Sequence, residues 1–221
     1  MRPVLLLFIS SLVLAQEPKV DPTWLHRSIP VISDATTGAT PGRCDYLPIL
    51  GGDSEAHILR TVSQFGQVAV TAGGNCAPAL YERQEEIYYV LSGNITLRYG
   101  EQTYALRTND FTYLPPGVKH SIGNSSQQTS RVLIMTFRIP PHTRIAPALE
   151  HPTIVNLDNV KEETVEGHPT SVLYKLLVGP RSAKRDAMDQ AYVVTSFFLW
   201  TSRRAAQMTR IIMRQPRKSM L

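Results

Sequence analysis

The chain is 221 residues long, 43% hydrophobic and 19% charged, with a formal net charge of +5. That length allows one large domain or two small ones, and the composition suits a packed globular core rather than a disordered or fibrous chain. The positive charge does not indicate a nucleic-acid surface. Arg203, Arg204, Arg210, Arg214, Arg217 and Lys218 lie in the last 21 residues, which hold no acid; without these six, 23 basic residues fall to 17 against 18 acidic ones. No aromatic residue interleaves those charges, so the tail lacks the stacking platforms of a nucleic-acid binder.

Residues 1–15 carry the pattern of an export signal. Arg2 supplies the positive end, Val4 to Leu14 an apolar run, and Val13-Leu14-Ala15 a small-residue cleavage site ahead of Gln16. The run is too short to span a bilayer as a helix, so no membrane span is expected. A secreted or periplasmic location follows, with an oxidising environment for Cys44 and Cys76. A disulfide between them and two separate thiols both fit, because sequence does not fix their distance. Residues 16–48 are rich in Pro, Asp, Ser, Thr and Gly and read as an extended arm or edge segment.

From Gly66 the texture changes to short apolar runs between turn signals. Strands are expected at 67–71, 86–91, 95–99, 103–106, 111–114 and 131–137, punctuated by Gly73-Gly74, Ser92-Gly93-Asn94, Gly100-Glu101, Thr108-Asn109-Asp110 and Pro115-Pro116-Gly117. Six strands at this spacing predict an all-β barrel or sandwich. Residues 139–152, with Pro140, Pro141, Pro147 and Pro152, read as a linker or crossover. A second strand-rich stretch covers 171–178 and 191–200, and no strand pattern is evident in 201–221.

One motif carries chemistry. Asn109 is followed by five residues, Pro115-Pro116-Gly117, two residues, His120, three residues and Asn124. Upstream, Glu86 is followed after six residues by Gly93. This resembles the paired signatures of the cupin superfamily, whose fold is a jelly-roll barrel, a double-stranded β-helix. Asn109 stands where the second signature has Gly. In the first signature the two His positions ahead of Glu86 are Ala79 and Tyr81, or Leu80 and Glu82 at the family's shorter spacing, so the family's ligand set is reduced to Glu86 and His120. As metal ligands those two are a poor set, since transition and octahedral metals take more donors. A metal-free cup with no cofactor is therefore expected for this barrel. Glu86, His120, Tyr81, Glu82 and Tyr113 are the expected pocket lining for a small-molecule ligand at the barrel mouth.

The segment 86–117 also looks like the first barrel of the two-barrel ureidoglycine aminohydrolases. That resemblance implies a degenerate first barrel and a second barrel holding Mn(II). None of that family's catalytic residues maps onto this chain, so catalytic residues are unassigned. The expected organisation is a signal at 1–15, arm and barrel at 16–150, the start of a second barrel at 151–200 and a basic tail at 201–221. Read one nucleotide out of frame from the last base of the Trp200 codon, ordinary codons for the tail give Pro-His-His-His, three residues, Glu. The tail is thus expected to be a frameshifted second barrel, whose complete form would hold Mn, Fe, Ni or Zn. Three functions remain open: a small-molecule-binding cupin, a ureidoglycine aminohydrolase-like hydrolase, and a non-catalytic metabolite or sugar binder or oligomerisation module such as a homodimer.

Overall fold

The computed structural model describes residues 27–29, 42–50, 59–164, 166–202 and 210–214. The expected signal peptide lies outside them. The described residues form thirteen strands, one turn of 3₁₀-helix at Leu157–Asn159 and no α-helix. The strands are β1 Cys44–Leu50, β2 Val62–Val70, β3 Gln84–Ser92, β4 Asn94–Tyr99, β5 Gln102–Arg107, β6 Asp110–Leu114, β7 His120–Gly123, β8 Ser130–Arg138, β9 Thr153–Asn156, β10 Val172–Pro180, β11 Met188–Ala191, β12 Ser196–Ser202 and β13 Arg210–Arg214. The expected all-β jelly roll is the fold observed.

Two sheets make the barrel: a six-stranded one in the order β1-β2-β8-β3-β6-β9 and a three-stranded one, β5-β4-β7. Alternation along each strand sends one set of side chains inward. Val68, Val70, Tyr88, Val90, Leu114, Val132 and Ile134 of the larger sheet meet Ile95, Leu97, Leu106 and Ile122 of the smaller in one buried cluster. Each such aliphatic side chain contributes about 1.5–3 kcal/mol on burial. The turns behave as their residues dictate. Gly93 joins β3 to β4 at φ +81°, and a Cβ there would lie 2.5 Å from Ser130 Oγ. Asn109, which replaces the motif's glycine, also sits at positive φ, 70°. Asn is among the few residues that tolerate this region, so the substitution keeps the turn.

Cys44 and Cys76 form a disulfide across 32 residues, with Cα atoms 5.2 Å apart. It ties edge strand β1 to the loop after β2, and a closed loop of this length is worth about 3–4 kcal/mol by the chain-entropy estimate. The arm read from residues 16–48 thus ends in a paired edge strand, β1 against β2.

The outer face of the large sheet is also apolar. Ile87, Phe111, Tyr113, Leu133, Met135 and Phe137 pack against Leu177, Val178, Met188, Phe197 and Leu199 of a third sheet, β11-β10-β12-β13, and against Val194 of the β11–β12 connection. Three points differ from the sequence reading. Strand β9, past residue 150, pairs with β6 and so extends the first sheet. The single strand expected at 191–200 is two, β11 and β12, because the backbone N–H groups of 192–194 turn to a side chain instead of a neighbouring strand. The tail is not without strand character: β13 pairs antiparallel with β12 from Arg214 opposite Ser196 to Arg210 opposite Trp200. Ile211, Ile212 and Met213, β-compatible residues set in basic sequence, form that strand.

Candidate functional site

Glu86 lies on β3 and His120 opens β7, on opposite walls of the barrel. The Pro115–Gly117 turn delivers His120. Gly117, at φ +82°, donates its N–H to Tyr81 O at 2.9 Å, fixing the turn to the loop ahead of β3. Ala79 and His120 then exchange both backbone hydrogen bonds, at 2.8 and 2.9 Å. Ala79, standing at one of the family's His positions, is therefore held beside His120 but offers only a methyl group.

The two side chains meet. His120 Nε2 is 2.5 Å from Glu86 Oε2, and the residues are 3% and 2% exposed. Period-two alternation supplies Glu86's remaining partners. Thr136, directly opposite on β8, donates its hydroxyl to Oε1 at 2.7 Å, and Tyr88, two residues along β3, donates to Oε2 at 3.3 Å. The Tyr88 and Tyr81 rings lie 5.9 and 6.2 Å from the imidazole. Tyr81, half-buried, is the member of this group with solvent access.

The proton inventory follows from the partners. His120 Nδ1 is 2.9 Å from the carbonyl oxygen of Val118, which only accepts, so Nδ1 carries hydrogen. A second proton then lies between Nε2 and Oε2, as imidazolium with carboxylate or neutral imidazole with carboxylic acid. Burial pulls the His120 imidazole down, but the Glu86 hydrogen bond and charge, with the Val118 carbonyl, outweigh it and the net shift is upward. Burial and the Glu86 charge push the Tyr81 hydroxyl up, and the Tyr88 hydroxyl far up, so both remain proton donors near neutrality.

A metal does not suit this arrangement. Glu86 and His120 are the surviving family donors, and Thr136, Tyr88 and the shared proton engage the lone pairs a cation would need. Among the described residues no group of three or more His, Cys, Asp or Glu could hold a metal ion.

Not every expected pocket residue joins this cluster. Glu82 is exposed on the loop before β3. Tyr113 lies on the other side of the sheet. It sits opposite Ile87 in the β3–β6 register, and so shares a face with Glu85 rather than Glu86. Its hydroxyl donates to Glu85 Oε2 at 2.9 Å. Glu85, fully buried, also accepts the backbone N–H groups of Tyr192 at 2.6 Å, Val193 at 3.0 Å and Val194 at 3.1 Å. The pairing register, which a single sequence does not state, is what separates these neighbours.

The described barrel agrees with known proteins. Residues 66–137 match the cupin domain family. Over 94 residues the chain is 30% identical to (S)-ureidoglycine aminohydrolase of Escherichia coli (strain K12), a stretch that is 42% of this chain and 36% of that enzyme. Among solved structures, a Pseudomonas aeruginosa protein described as glyoxylate-induced superimposes with a TM-score of 0.52 at 15% identity, covering 72% of this chain and 54% of that one. A protein of Geobacillus kaustophilus does so with a TM-score of 0.52 at 12% identity, covering 72% and 61%. The chain therefore carries a cupin domain, at 66–137. It spans well under two thirds of the length of the aminohydrolase it matches.

Proposed function

We propose that the 66–137 barrel binds a small polar molecule without a metal, through the proton held between His120 and Glu86. The observation that carries this reading is their 2.5 Å contact, buried yet 6.2 Å, ring to ring, from half-buried Tyr81. A ligand entering past Tyr81 meets the tyrosine hydroxyl, a donor near neutrality, and then the buried imidazole–carboxylate pair with its exchangeable proton. A hydrogen-bonding group on the ligand can exchange with the His120–Glu86 proton, which gives the cup acid–base capacity. Export, with the disulfide formed in an oxidising compartment, belongs to the same reading.

The test is an imidazole-detected NMR titration with a panel of ureido and carboxylate metabolites, alongside metal analysis after dialysis against Mn, Fe, Ni and Zn. Saturable shifts of the His120 ring signals, weakened by Tyr81→Phe, and metal well below one ion per chain are expected. Stoichiometric metal, or saturable binding that leaves His120 unmoved, defeats the proposal.

A second reading, a hydrolase acting on a ureido-amino acid, is supported by the 30% identity to the aminohydrolase. In that reading the metal belongs to a complete second barrel, interrupted by a frameshift after Trp200. Nucleotides other than C at the third positions of Arg210, Ile211 and Ile212 eliminate the frameshift. Absence of ammonia release by the frame-restored protein eliminates the hydrolase.

A further inference from the structure

A second site lies at one end of the barrel and is independent of the cup. Arg60, Thr61, Arg83, Gln84, Arg138, Ile139, Pro140 and Pro141 line an open cavity of about 460 Å³. Gln84 and Arg138 are cross-strand partners, one inward-facing rung beyond Glu86 and Thr136. This places the cavity at the strand ends.

Three guanidiniums line it, and no acidic side chain does. Among the described residues, none of the three has a carboxylate within ion-pair distance. Two of them, Arg83 and Arg138, are held by backbone carbonyls, and Arg60 is exposed at the rim. Arg83 Nη2 donates to the carbonyl oxygens of Pro140, at 2.5 Å, and Thr143, at 3.0 Å. Arg138 Nη1 donates to Val62 O at 2.9 Å. The backbone around the site is closed as well, with Arg138 N–H on Thr61 O and Ile139 N–H on Arg83 O. Arg83 Nε is buried without a hydrogen-bond partner. A buried charged donor left unmade is costly, so an acceptor placed there is favoured. Gln84 adds to this polarity: its Oε1 is taken by the Ser63 hydroxyl at 2.6 Å, which leaves its amide hydrogens for another acceptor.

Like charges converging on one concavity raise the local potential and draw in an anion. Guanidiniums whose orientation is already fixed suit the planar fork of a carboxylate, because little further side-chain freedom is lost on binding. Ile139, Pro140 and Pro141 offer an apolar wall beside the charge. We infer that this cavity is a binding site for a small organic anion, its carboxylate held by Arg60, Arg83 and Arg138 and its short apolar stem lying on Ile139–Pro141. Nothing in the inference depends on the cup, and the two can fail separately.

The test follows the arginine Nε–H resonances of the full chain by NMR during titration with butyrate, with inorganic phosphate and sodium chloride as matched-ionic-strength comparisons. Saturable butyrate shifts at Arg60, Arg83 and Arg138, with exposed Arg98 unmoved, are expected. The Ile139 methyl signals should move with them. Arg60→Gln with Arg138→Gln, both exposed side chains whose loss leaves the core intact, should weaken butyrate binding at least tenfold while the fold's methyl spectrum persists. Saturation by phosphate but not butyrate overturns the carboxylate assignment. Shifts that match chloride, spread evenly to Arg98, or persist in the double variant overturn the site itself.

Discussion

Glu85 and Glu86 are adjacent on one strand and equally buried, yet they serve different parts of the molecule. Glu86 faces the barrel interior and is balanced by a side chain that can gain or lose a proton, His120. Glu85 faces outward and is balanced by donors that cannot: three consecutive backbone N–H groups and the Tyr113 hydroxyl, which burial and the Glu85 charge push far up. A carboxylate facing backbone amides is a fixed joint, here between the barrel and the segment leading into β12. One facing an imidazole is a titratable element. The chemistry of each follows from its partners, not from its residue type.

The comparison breaks most severely at Glu85. Glu85→Ala leaves three buried N–H groups and a buried hydroxyl without acceptors, in a cavity the shortened side chain does not fill. At roughly 1–3 kcal/mol for each unmet donor, partly recovered by relaxation and water entry, the loss should be about 4–5 kcal/mol. Urea unfolding measures it. Hydrogen exchange should show 192–194 losing protection before the barrel strands do. A loss under 1 kcal/mol, with those amides still protected, would show that the outer-face apolar cluster alone fixes the third sheet.

At Glu86 the effect should be smaller and should depend on pH. His120→Asn removes the partner, but Thr136 and Tyr88 still donate to the Glu86 carboxylate, which limits the loss to about 2–3 kcal/mol. In the native protein the folded imidazole lies above its ordinary value of about 6.5. A raised value means the folded state binds the proton more tightly. The stabilisation is therefore complete below the ordinary imidazole value and is lost as pH rises through the raised one. Burial also pushes the Glu85 carboxyl up, against the pull of the Tyr192 and Val193 N–H groups, the Tyr113 hydroxyl and the Val194 N–H. Its contribution falls away on the same side, as pH rises through the carboxyl range. Chemical unfolding from pH 5 to pH 9 should show the native protein losing stability above neutrality and His120→Asn losing much less. Parallel curves would place the titrating group elsewhere.

Turn chemistry made most of the barrel legible. Each of the six strands expected between 67 and 137 is present, because Gly93, Gly100, Asn109 and Gly117 occupy positive-φ turns that interrupt otherwise continuous apolar sequence. The spacing from Pro115 to Asn124 marked His120. What could not be read depended on pairing partners distant in sequence. Tyr113 was expected beside Glu86, but the β3–β6 register gives it to Glu85. The Cys44–Cys76 link depends on how β1 lies on β2, and the break at 192–195 depends on a carboxylate more than a hundred residues away. The run Arg210–Arg214 reads as solvated basic tail until β12 offers it an edge.

The mildest test removes one hydroxyl. Tyr113→Phe keeps the ring within the outer-face cluster and deletes only the donor to Glu85 Oε2. That oxygen retains the Tyr192 N–H, so no acceptor is stranded. The loss should be about 1 kcal/mol, near the typical net value of one hydrogen bond. Because the hydroxyl stabilises the charged carboxylate, its removal should also move Glu85's protonation further up, shifting the acid side of the stability curve without altering the His120 limb. Ligand shifts at His120 should be unchanged, since the β3 backbone separates the two faces. A Tyr113→Phe variant that altered His120 titration would mean the adjacent carboxylates are coupled through the strand, and the division between joint and titratable element would not hold.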